Sequence, residues 1–295
     1  MLAGGVLVAS TASILIRLAQ AEGVPSLTIA AMRMGLAGLI LLPVAWPQLR
    51  ADLPGLAGRH LRLALISGAC LAVHFWSWIT SLAYTSVASS TVLVTTNPIW
   101  VGLASLLLLR ERLATAGIVG IVLSIAGTAL IFATGSQTAT TYAAPGLGNG
   151  LALVGAISAS AYLLLGRALR AHLGLLSYIW LAYATAAALL WIGVAASGAA
   201  VLGFSVFAYL LLLALAIGPQ LLGHTAFNWS LRHLSATFVA LSILGEPVGS
   251  AVLAYFMFDE TLSALQLAGF LLILVGIFVA ARAEGRRRGE THSQD

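Results

Sequence analysis

An all-α polytopic membrane protein with ten transmembrane helices is predicted by three features of this sequence: its composition, the regular return of apolar runs, and the side on which the arginines fall. Of 295 residues, 60% are hydrophobic and only 8% are charged, against about 25% charged in soluble domains. So few charges cannot cover the water-facing surface of a chain this long. All fourteen basic residues are Arg; with nine acids they leave a net charge of +5. They form no basic stripe of the kind that binds nucleic acid. Cys70 is the single cysteine, so no internal disulfide can form. Met1 leads straight into an apolar run without a basic leader, and the first segment is read as a retained helix.

A helix needs about 20 apolar residues to cross a bilayer. Ten runs meet that need: 2–20, 25–46, 61–83, 87–109, 115–134, 147–169, 175–196, 204–230, 235–257 and 263–282. Pro, Gly or charge separates them, as in Trp46–His60, Arg110–Arg112, Gly135–Gly146 and Asp259–Glu260. Arginine placement tests the count, because Lys and Arg accumulate on the cytoplasmic side. With the N-terminus in the cytoplasm, the inner loops hold Arg50, Arg59, Arg62, Arg110, Arg112, Arg167, Arg170 and Arg232. The basic tail, 283–295, then also lies inside. An odd number of spans breaks this alternation.

The fourth and fifth runs repeat in the ninth and tenth. One offset of 149 residues superimposes Pro98 on Pro247, Glu111 on Glu260, Leu113 on Leu262, Gly120 on Gly269 and Gly127 on Gly276. The loop at Glu111 falls inside and the loop at Glu260 outside, so the two five-helix units, 1–134 and 147–282, are expected to be inverted with respect to each other. Inverted repeats recur in secondary transporters, which bind substrate near the midplane where the halves meet.

The doubled pattern Asn97-Pro98…Glu111…Gly120…Gly127 and Glu246-Pro247…Glu260…Gly269…Gly276 resembles the EamA type of the drug/metabolite transporter superfamily. Pro25 followed by Arg33 resembles the second helix of that family. The first helix departs from it, with Ala9-Ser10-Thr11 in place of a Trp-Gly pair. The resemblance implies a bacterial inner-membrane protein with both termini cytoplasmic, exporting amino acids or related metabolites without ATP. The sequence holds no P-loop. No cofactor is expected, and the implied partners are a small-molecule substrate and the lipid bilayer.

Several side chains are candidates for the transport path. Pro98 and Pro247 remove a backbone donor inside spans four and nine and free the carbonyls of Val94 and Ile243. Such kinks either flex during transport or are static packing features. Glu246 is the carboxylate deepest in a span; it can bind a substrate amine, carry a proton, or fix helix packing. Its repeat mate is Asn97. Arg33 can pair with a substrate carboxylate, or snorkel to the interface. His74 and Trp78 share a face of span three with Ser81, and His224 and Asn228 share a face of span eight with Gln220. Both stripes are read as cavity lining, with interhelical hydrogen bonding as the alternative. Trp100 and Tyr162 offer aromatic surface for a substrate. Ser10, Ser13 and Ser158 are read as packing hydroxyls. Trp46, Trp180, Trp191 and Trp229 are assigned to interfacial belts. Gly120, Gly127, Gly269 and Gly276, at heptad spacing, are assigned to close helix packing. No tight His, Cys and carboxylate cluster predicts a metal site.

These residues predict a transporter that exports amino acids, hydrophobic and aromatic ones included, by alternating access. An intramembrane enzyme and an importer of another metabolite are the alternatives. No nucleophile motif and no aspartate-rich motif supports an enzyme.

Overall fold

The computed structural model describes residues 1–85, 87–107, 115–135, 144–258 and 264–292. Arg110, Glu111, Arg112, Leu113, Glu260 and Leu262 lie outside the described residues, as does 136–143. The described chain forms ten helical segments. They are α1 (Leu2–Ala21), α2 (Ser26–Asp52), α3 (Gly58–Tyr84), α4 (Val87–Val94 then Asn97–Leu107) and α5 (Thr115–Gly135). The remainder are α6 (Pro145–Leu169), α7 (Leu175–Ser197), α8 (Val206–Ser230), α9 (Ala236–Ile243 then Gly245–Phe258) and α10 (Ala264–His292). Helix is what lipid demands, since each backbone donor and acceptor must be satisfied within the segment. Leu39, Val44, Ile66, Ile192, Leu210, Leu222 and Leu274 stand exposed on the outside of the bundle, a surface suited to acyl chains rather than water.

Two boundaries differ from the sequence reading. α2 continues beyond Trp46 to Asp52. Its last turns are held by the α6–α7 connection, where Gly174 N donates to Asp52 Oδ2 (3.0 Å) and Leu176 N donates to Gln48 Oε1 (2.9 Å). The basic tail is not separate up to His292 but continues α10; Ala, Glu and Arg are good helix formers and extend the span into water.

Packing sorts the helices into exchanged pairs. α2 packs on α7 and α5 on α10; α3 packs on α6, and α8 likewise on α1. α4 touches α6, and α9 touches α1. This pairing is nearly unchanged when the first five helices are exchanged for the last five. Helices five apart run antiparallel where they meet: a Cβ on Gly120 would strike Gly276 O, and one on Gly127 would strike Gly269 O. Along α2 and α7, Thr28 Oγ1 donates to Ala200 O near one end, and Gln48 meets Leu176 N at the other.

Connections gather accordingly at the two ends. Ser205 Oγ donates to Glu22 Oε2 (2.5 Å), and Thr85 Oγ1 donates to Asn149 Oδ1 (2.9 Å). At the opposite end, His60 stacks on His172 with centroids 4.3 Å apart, and Arg170 Nη1 donates to Leu173 O (2.7 Å). Burial and the nearby Arg232 charge lower the Arg170 pKa from its ordinary value. Arg50, Arg59, Arg170 and Arg232 thus share one end, as the arginine alternation expects.

Candidate functional site

Four helices are interrupted, and each interruption lies at one central cavity. α1 breaks at Ser10–Thr11, where Ser10 Oγ donates to Val6 O and Thr11 Oγ1 to Val8 O, both at 2.8 Å. α4 breaks at Thr95–Thr96, immediately before Asn97-Pro98, and α9 at Leu244, before Glu246-Pro247. α8 winds as a π-helix from Ala216 to His224 with Pro219 inside it. Irregular backbone at membrane depth persists where it lines a cavity or is buried in protein, and π segments are frequent at functional sites.

The cavity, with the open space at its mouth, holds about 570 Å³ not filled by atoms. Ala9 and Ala12 of α1 and Arg33 of α2 contribute to its wall, with Leu71, His74 and Trp78 of α3. α4 adds Val94, Thr95 and Asn97; α6 adds Ala159, Tyr162 and Leu163. His224 and Phe227 of α8, and Ile243 and Glu246 of α9, complete it. Both halves therefore build one site. Of the candidates read from sequence, Arg33, His74, Trp78, Asn97, Tyr162, His224 and Glu246 meet here. Trp100 and Asn228 are not in the wall. Trp100 Nε1 donates to Thr96 Oγ1 (3.2 Å) beside the α4 break. Asn228 Nδ2 donates to Tyr162 Oη (2.6 Å) and to His224 O (2.8 Å), behind the lining.

The proline-freed carbonyl of α4 has a specific partner. The orientation of the Asn97 amide that satisfies both of its polar atoms directs Nδ2 to Val94 O (2.7 Å) and to Ala156 O of α6 (3.2 Å). Asn97 thus closes the gap that Pro98 opens and ties it to the other half. Glu246 holds the equivalent place before Pro247.

An aromatic and cationic cluster reaches the wall through Arg33, His74 and His224. Arg33 is 1% exposed and lies 4.1 Å from the Phe75 ring centroid. It therefore does not snorkel. Its Nε donates to Gln220 Oε1 (2.8 Å). Tyr183 Oη donates to Gln220 O (3.2 Å). Phe75 meets the His224 ring at 5.3 Å and the His74 ring at 4.7 Å. His74 Nδ1 lies 2.9 Å from Gly155 O. A carbonyl only accepts, so Nδ1 carries the proton and Nε2 is the free nitrogen. Phe75, Tyr183 and the π segment escape the sequence reading; Pro219 flanked by Gly218 and Gly223 is the signal that could have marked the last. His74 and His224 stand 150 residues apart, one more than the two prolines.

The packing candidates Ser10 and Ser13 are not in the cavity wall. Ser13 Oγ donates to Ser250 Oγ (3.3 Å) and Ser250 Oγ donates to Ser10 O (2.8 Å), joining α1 to α9. Trp180 Nε1 donates to Gly38 O (3.2 Å), so this ring is docked on α2, whereas Trp46 and Trp229 stand exposed. Among the described residues no group of three or more His, Cys, Asp or Glu could hold a metal ion.

Known proteins share this architecture. A solved structure described only as "Crystal structure of protein" superposes with a TM-score of 0.75 over 96% of each chain, at 19% identity; that likeness concerns the fold. An "Uncharacterized transporter YetK" of Bacillus subtilis (strain 168) is 25% identical over 169 residues, which is 56% of this chain and 50% of that protein. The chain thus spans about half the length of this curated relative. The model of the EamA-like transporter family matches residues 1–133 and 146–282. With a family match across both halves, the chain belongs to the EamA-like transporter family, within the drug/metabolite transporter superfamily, and is a multi-pass membrane protein.

Proposed function

We infer that the substrates are amino acids, hydrophobic and aromatic ones included, exported from the cytoplasm by alternating access of two five-helix units, 1–134 and 147–282. The observation that carries this reading is the content of the cavity wall: one buried cation, Arg33, one carboxylate, Glu246, and the rings of Trp78, Tyr162 and Phe227 between apolar side chains. A zwitterion with an apolar side chain suits such a wall. Polyanions such as nucleotide sugars want several convergent Arg residues. The interrupted helices from both halves give the wall elements that can rearrange when the halves rock.

Counterflow in proteoliposomes tests the substrate class. Unlabelled phenylalanine or leucine trapped inside should drive accumulation of labelled phenylalanine, and a nucleotide sugar should not. A receptor or an intramembrane enzyme should exchange none of them. Equal exchange with nucleotide sugar would overturn the amino-acid reading.

The proposed membrane is the bacterial inner membrane, with both termini cytoplasmic and the two units oppositely oriented. The antiparallel meeting of α5 with α10 supports the opposite orientation, and the shared arginine-rich end supports the side. Reporter fusions after Arg112 and after Arg288 should both read cytoplasm, and a fusion within 137–144 should read the outer side. If the fusions at 112 and within 137–144 report the same side, the span order is wrong.

A further inference from the structure

We propose that Arg33 and Trp78, with Gln220 holding the guanidinium in place, form a subsite for the carboxylate of the substrate; this rests on the amino-acid reading above and states which wall holds which end. Arg33 is 1% and Trp78 5% exposed, and both line the cavity. Arg33 Nη1 and Trp78 Nε1 have no hydrogen-bond partner among the described residues, and neither has Nε2 of Gln220, the residue whose Oε1 takes Arg33 Nε. A buried donor left unpaired is costly and uncommon. All three groups are donors, and Arg and Trp side chains have no accepting capacity. Whatever completes them must therefore be an acceptor.

The geometry narrows the acceptor further. Gln220 takes Nε of Arg33, and Phe75 lies against the face of the guanidinium. One edge and one face are thereby fixed. The remaining planar donors suit a carboxylate, whose two oxygens match the guanidinium fork. Gln220 belongs to the π segment of α8 and its carbonyl is held by Tyr183, so the clamp on Arg33 is itself braced. Gln220 is a positioning residue. The carboxylate at α2 and α3 leaves Glu246 of α9 for the ammonium group, and the amino acid bridges the two halves of the protein.

The test uses the purified full-length protein and reads ligand-induced thermal stabilisation by L-phenylalanine, its methyl ester and 3-phenylpropionate. Wild type should bind the acid at least about tenfold more tightly than the ester. Arg33→Gln should bring acid and ester to parity. Trp78→Phe should shrink the acid-to-ester preference several-fold, and Gln220→Leu should shrink it by loosening Arg33. A purely structural Arg33 lowers stability without moving the acid-to-ester ratio. The subsite is overturned if wild type shows no preference for the acid, if none of the three ligands binds, or if the variants keep the full preference. Should Arg33→Gln fail to fold, the ratio in Trp78→Phe and Gln220→Leu decides. If 3-phenylpropionate binds wild type as well as phenylalanine and weakens in Arg33→Gln, the carboxylate subsite stands and the amino-acid reading fails.

Discussion

Glu246→Gln is expected to cut phenylalanine counterflow at least about tenfold and to flatten its pH dependence. An ion pair or hydrogen bond to a charged group contributes about 1.5–3 kcal/mol, and each 1.4 kcal/mol is about a factor of ten. Glu246 lines the cavity just beyond the α9 break at Leu244 and just before Pro247. Its counterpart in the first half shows what that place does. Asn97 donates to Val94 O, which Pro98 has deprived of its helical partner, and to Ala156 O. A protonated carboxyl at 246 can donate as Asn97 does; an ionised one can only accept, and is then free for a substrate ammonium. Occupancy by proton or by substrate would thus be mutually exclusive, which is the requirement for exchanging one against the other. Gln keeps the shape and donates at every pH, so it mimics the protonated carboxyl permanently. The measurement is initial exchange rate against pH for both proteins, after confirming equal insertion. A variant that follows wild type in rate and in pH profile makes Glu246 a packing residue and removes the coupling idea.

The architecture was legible in the sequence because its causes are local and repeated. Apolar runs long enough for a bilayer, punctuated by Arg, define helices without reference to neighbours. The offset of 149 between Pro98 and Pro247 marks breaks that recur in α4 and α9. Polar residues on one face of a membrane helix point inward, and this is why His74, Trp78 and His224 fall on the cavity wall. What stayed hidden depends on pairs distant in sequence. Gln220 stands 187 residues from the Arg33 it holds. Phe75 reads as one more apolar residue until its ring is seen against Arg33 and His224. Trp100 sits three residues after Asn97, close to one helical turn, yet only the latter reaches the cavity, while the Trp100 indole turns back to donate to Thr96 Oγ1 at the α4 break. In a soluble helix the apolar stripe tells which face is buried; a helix in lipid is apolar on its outer face as well, and the stripe gives no such guide.

Replacing Gly127 or Gly276 by Ala is expected to destabilise the protein by about 1–3 kcal/mol each, the usual cost of forcing a methyl group into a closed contact. Lipid tails are as apolar as the helices, so α5 and α10 gain little from apolar burial and depend on close packing. Glycine makes the approach possible. A Cβ on Gly276 would meet Gly120 O at 2.7 Å and Ser124 N at 3.1 Å; one on Gly120 would meet Gly276 O at 2.7 Å and Ala280 Cβ at 3.0 Å. At Gly127 the obstacle is Gly269 O, with Ile273 Cγ1 at 3.0 Å. These are mainly backbone atoms, which yield only if the helices part. Gly117 is the internal control: it lies on the same α5, and a Cβ there would meet nothing within 4 Å. Gly117→Ala should therefore be neutral or gain a few tenths of a kcal/mol, roughly up to 1, from helix propensity. Because α5 and α10 add no described side chain to the cavity wall, Gly127→Ala and Gly276→Ala should shorten the lifetime of the folded protein in detergent while leaving the ligand preference of the surviving fraction unchanged. Melting temperatures of the three variants against wild type decide it. If Gly127→Ala and Gly117→Ala melt alike, the α5–α10 contact is looser than the glycines imply; if Gly127→Ala alters the acid-to-ester ratio, α5 is part of the moving machinery rather than its frame.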